Sequence, residues 1–149
     1  MAGVTLTQNI KGLEALAERL NQLASADYND LLEQIGGMVE SQTQRRLSEE
    51  KEAPEGSPWE PLSDDRATRK SEWSSGGMLE YQGHLLDSIA YQVSGDEVKI
   101  GTGLIYGAIH QLGGEPVGKP IPARPYLGLS SDNENELNEV IEAWLSQLL

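Results

Sequence analysis

The chain has 149 residues and no cysteine, and its 24 acidic against 11 basic side chains leave a net charge of −13. That length is a prior for a single domain, 1–149, able to bury a core without covalent staples, and the missing cysteines exclude disulfides and thiolate metal sites. The acidity repels nucleic acid at long range, no apolar run reaches the roughly 18 residues of a membrane span, and Met1–Gln8 lacks the basic start and apolar stretch of a signal peptide.

Val4 and Leu6 alternate with Thr5 and Thr7 and predict a short first strand. A helix follows from about Ile10 to Ala24, with Leu13, Leu16, Leu20 and Leu23 on one stripe. Asp27 is placed to cap a second helix, whose apolar face is Leu31, Leu32, Ile35, Met38 and Val39. Gly36-Gly37 inside that helix costs roughly 1 kcal/mol per glycine, so the pair predicts a close backbone approach or a kink. Beyond Val39 the pattern turns polar through Gln42, Gln44, Arg45 and Arg46, and it predicts a solvated or inter-subunit face continuing to about Glu50.

Residues 51–77 carry Pro54, Gly56, Pro58, Pro61 and Gly76-Gly77 without a period, which predicts a long loop. Trp59 and Trp73 imply that parts of it dock. Met78, Leu79, Leu85 and Leu86 suggest a short helical piece broken at Gly83. Next comes a hairpin turned at Gly95-Asp96. With a two-residue turn, Val93 falls opposite Val98 and Tyr91 opposite Ile100 on one face, and Gln92 pairs with Lys99 on the other.

Tyr106, Ile109 and His110 share a face of a short helix ended by Gly113-Gly114. Four prolines at 116, 120, 122 and 125 then hold the chain extended, and Leu127 and Leu129 predict a last strand. Ser131, with Glu134 three residues on, predicts the capping box of a final helix. Its stripe is Leu137, Val140, Ile141, Trp144, Leu145 and Leu148. The order predicts an α+β fold: a small antiparallel sheet with helices on one face and a long loop at 51–77.

Reactive constellations are few. The two histidines, His84 and His110, have no metal-ligand spacing. His84, Asp87 and Ser88 crowd one turn and cannot place a hydroxyl and a carboxylate on opposite imidazole nitrogens. Gly101-Thr102-Gly103 leaves an antiparallel strand, whereas a phosphate loop needs a parallel βαβ unit. Glu55, Glu60, Asp64 and Asp65 lie in polar sequence, without the burial that shifts a pKa. Two basic pieces, Arg45-Arg46 and Arg66/Arg69/Lys70, are the candidates for a patch that attracts nucleic acid. Arg124, between Pro122 and Pro125, is rigidly presented and suits a bidentate carboxylate contact. Its partner is expected on a neighbouring subunit or on the final helix.

Four segments in order resemble the phage virion morphogenesis family. Pro54–Leu62 resembles its D-P-x-G-x-x-W-x-P-L stretch, and Met78-Leu79 with Gly83–Ile89 its L-x-x-x-G-x-L-x-x-S-I stretch. Val98–Gly101 with Tyr106–Gly114 resembles V-x-V-G followed by Y-A-x-I-H-Q-x-G-G, Gly107 standing where alanine is usual. Ile121–Leu129 resembles I-P-A-R-P-F-L-G-L. The resemblance covers about Leu31 to the C-terminus and implies a fold similar to phage neck and tail-completion proteins. It implies a non-enzymatic structural role, late in tail assembly or at the head–tail junction, often as rings that match the sixfold tail. The implied partners are further copies of the chain, tail tube or tail terminator proteins and head–tail connector proteins, met in the host cytoplasm and kept in the virion neck or tail. No catalytic residue, metal or cofactor comes with it. The blocks Tyr106–Gly114 and Ile121–Leu129 become candidates for core and subunit contact, with Trp59, Tyr106, His110, Gln111, Arg124 and Tyr126 as the interaction residues. An alternative reading is a small ligand-binding or hydrolytic domain built on Tyr106, His110 and Arg124.

Overall fold

The computed structural model describes residues 12–64, 78–79 and 83–149. In chain order these form helix α1 (Leu13–Ala24), helix α2 (Asn29–Arg45), a π turn (Arg46–Glu50), helix α3 (His84–Ser88), strands β1 (Ala90–Ser94) and β2 (Glu97–Gly101), helix α4 (Gly107–Leu112), a 3-10 turn (Glu115–Val117) and helix α5 (Ser131–Leu148). The fold is α+β, with α2 packed against both strands and against α5. The predicted strand at Val4–Thr7 and the docking of Trp73 lie outside the described residues.

The hairpin has the predicted register, Tyr91 facing Ile100, Gln92 facing Lys99 and Val93 facing Val98. Gly95 supplies the positive φ (61°) that its tight turn requires. Side chains alternate between half-buried and exposed along both strands, as a sheet covered on one face demands. The cover is α2, and Gly36 is why it comes so close. A Cβ there would lie 2.2 Å from the Tyr91 ring, whereas one at Gly37 would meet nothing within 4 Å. The close-approach reading therefore holds for Gly36 alone.

The polar end of α2 is a correction. Gln42, Thr43 and Arg46 are buried rather than solvated, because each finds polar partners inside the fold. Lys51 (φ 55°) turns the chain out of the π turn, and its ammonium donates back to the carbonyls of Leu47 and Met78. A left-handed residue followed by a side-chain cap ends this helix without a glycine.

The first half of the expected loop is folded. Ala53 N–H donates to Ser57 O (2.8 Å), Gly56 N–H to Ala53 O (2.8 Å) and Trp59 N–H to Lys51 O (3.3 Å), so the chain doubles back on itself. That fold-back places Ala53 and Trp59 in the core with Leu47, Leu85, Ile89 and Tyr126.

Two further expectations shift. The cap of α5 is Ser130, not Ser131, and its reciprocal partner is Asn133 rather than Glu134. Each donates a backbone N–H to the other's side chain at 3.1 Å. Residues 127–129 are not a strand. Among the described residues no strand pairs with them, and side chains take up backbone groups of Leu127 and Gly128 instead.

Candidate functional site

Five of the six predicted interaction residues, Trp59, His110, Gln111, Arg124 and Tyr126, lie in the segment 121–129 or hydrogen-bond to it, and Trp59, Arg124 and Tyr126 are buried, whereas Tyr106 is exposed. The prolines keep this segment extended, so its N–H and C=O groups cannot pair with one another. Three side chains serve them from three directions. From α4, the Gln111 amide oxygen accepts from Tyr126 N and Leu127 N, both at 3.0 Å, and its Nε2 donates to Leu127 O at 3.3 Å. This primary amide acts as a one-residue strand partner. From the π turn, Arg46 donates Nη1 to Tyr126 O (2.8 Å) and Gly128 O (3.0 Å) and Nη2 to Asn133 Oδ1 (2.5 Å). From the fold-back, Trp59 Nε1 donates to Pro125 O (2.8 Å).

The segment answers in kind. Arg124 is buried, its Nε donating to Glu60 O (2.8 Å) and its Nη2 to Pro61 O (3.2 Å). Its backbone N–H donates to His110 O at 2.7 Å. Tyr126, also buried, donates its hydroxyl to Gly107 O at 2.8 Å. The expected carboxylate partner of Arg124, on a neighbour or on the last helix, is thus corrected: two backbone carbonyls of its own chain occupy the fork. Trp59 and Arg124 form a reciprocal clasp, each donating into the other's strand of chain.

The last helix is held instead by the arginine pair at the end of α2. Arg45 bridges Glu50 and Glu136, both at 3.2 Å. Gln42 Nε2 donates to Glu136 Oε2 (2.7 Å) and Asn133 O (3.3 Å). Hydrogen bonding from Gln42, reinforced by the Arg45 charge, pulls the Glu136 pKa down. Burial lowers the pKa of Arg46 and Arg124 and raises that of the Tyr126 phenol. Guanidinium starts far above neutrality, so both arginines stay charged. Arg46 is therefore a structural cation, wholly enclosed, and the Arg45-Arg46 pair is no basic patch. The Arg66/Arg69/Lys70 cluster lies outside the described residues.

Tyr106 and His110 meet edge to face, ring centres 5.9 Å apart, at the rim of α4. The Arg124 guanidinium donates into the fold-back. Clefts of about 550 and 440 Å³ occur elsewhere, one between the fold-back and the start of α5, the other along α2 and α3, and neither is lined by Tyr106, His110 or Arg124. No group of three or more His, Asp or Glu among the described residues is arranged to hold a metal ion. Ser88 donates to Leu85 O and shares a 2.6 Å hydrogen bond with Thr102, a local fastening beside an exposed His84.

Sequence reasoning missed Arg46, Gln42 and Asn133, the polar centre of the domain. Its one available signal was their spacing: Gln42 and Arg46 stand one helical turn apart, a polar stripe continuing an apolar face.

The motif-bearing side chains fasten their own backbone, and large apolar groups stay exposed at Ile105, Leu112 and Val117. Residues 8–146 match the model of the phage virion morphogenesis family, and the chain belongs to it. It is 33% identical over 115 residues to the putative capsid assembly protein G of Escherichia phage Mu, covering 73% of this chain and 74% of that relative. It is 28% identical over 137 residues to the Mu-like prophage FluMu G protein 1 of Haemophilus influenzae (89% of this chain, 90% of the relative). With FluMu G protein 2 of the same organism it shares 30% over 145 residues (95% and 94%). No solved structure matches. A structural role in virion assembly follows from the family.

Proposed function

We propose that this protein finishes the tail or joins it to the head, without catalysis, as a closed homo-oligomeric ring matching the sixfold tail. One observation carries the reading. The polar residues of the family segments are spent on internal hydrogen bonds, while large apolar side chains of α1 and of the 105–117 region stay exposed. Contact surface is what such a domain offers. The Mu relative is named for capsid assembly, and the family resemblance points to tail completion. A place at the head–tail junction suits both. The partners are then further copies of this chain, a tail tube or tail terminator protein and a connector protein, met in the host cytoplasm and retained in the neck. A net charge of −13 gives such a ring a lumen that lets DNA pass without binding it.

The test is deletion of the gene in an inducible phage that carries it. Filled heads beside unattached tails, or tails of abnormal length, are expected in electron micrographs. Normal infectious particles would refute the role.

A further inference from the structure

We draw no further inference here: the strongest candidate, the cleft of about 550 Å³ between the fold-back and the start of α5, lined by Glu50, Glu52, Glu55, Asp132 and Glu136 around Arg45, is a cluster of acidic side chains with nothing in the structure to show what occupies it.

Discussion

Replacing Arg46 by methionine isolates the centre of the fold. The side chain is fully buried and supplies the Nη1 donor to Tyr126 O and Gly128 O and the Nη2 donor to Asn133 Oδ1. Methionine matches much of its length but donates nothing. Asn133 Oδ1 keeps its bond from Ser130 N, so two carbonyls bear the loss. An orphaned buried acceptor costs about 1–3 kcal/mol, and relief of the guanidinium desolvation offsets part of that. Two such acceptors cost about 2–6 kcal/mol before the offset, so the expected net loss is about 2–4 kcal/mol, a large fraction of the ~5–15 kcal/mol that holds a domain. In thermal unfolding of a chain this size it lowers Tm by about 5–15 °C. The neighbouring Arg45→Met is the control. Arg45 makes two ion pairs at 3.2 Å with its side chain 39% exposed, so its loss should cost under about 1 kcal/mol. Urea unfolding followed by tryptophan fluorescence reads both, as a midpoint shift at constant slope. If the two adjacent arginines cost the same, or Arg46→Met costs under about 1 kcal/mol, the account of the buried guanidinium is wrong.

Three further outcomes are expected. Gly37→Ala should raise stability by up to about 1 kcal/mol through helix propensity, whereas Gly36→Ala should lower it by about 1–3 kcal/mol because the added methyl strikes the Tyr91 ring; equal shifts would contradict the close approach. At Gly107 a Cβ would sit 2.4 Å from Thr102 Cγ2, so Gly107→Ala alone should cost about 1–2 kcal/mol. Thr102→Ser removes that methyl and keeps the hydroxyl, while the Tyr126 hydroxyl, 2.9 Å from the same Cβ, stays, so a double-mutant cycle by thermal melts should show partial rescue; simple additivity would deny the Thr102 contact. Finally, Glu136 has its pKa lowered in the fold, chiefly by Gln42. A depressed carboxyl stabilises the fold above its unfolded value, near ~4.3, and that contribution is lost as pH falls through the folded value. Glu136→Gln should narrow the Tm difference between about pH 7 and about pH 3, and an unchanged difference would count against the Gln42–Glu136–Arg45 contact.

Local pattern accounts for much of this protein. A period of two with a glycine turn set the hairpin register of Tyr91 and Val93, and a period of 3.6 set α1, α2 and α5, because main-chain geometry repeats those spacings wherever it forms. Net charge and the absence of cysteine and metal spacing also follow from composition, as does the resemblance of four segments to a phage family. What the linear chain could not show was which polar groups are enclosed. Arg46 beside Arg45 looks like a surface pair, and Arg124 between prolines looks like an outward contact. Their fates depend on carbonyls at 60, 61, 126 and 128, brought near by folding. A carbonyl has no signature in sequence, since every residue carries one. Only tertiary structure decides which are left unpaired by secondary structure and must be met by a side chain from far along the chain.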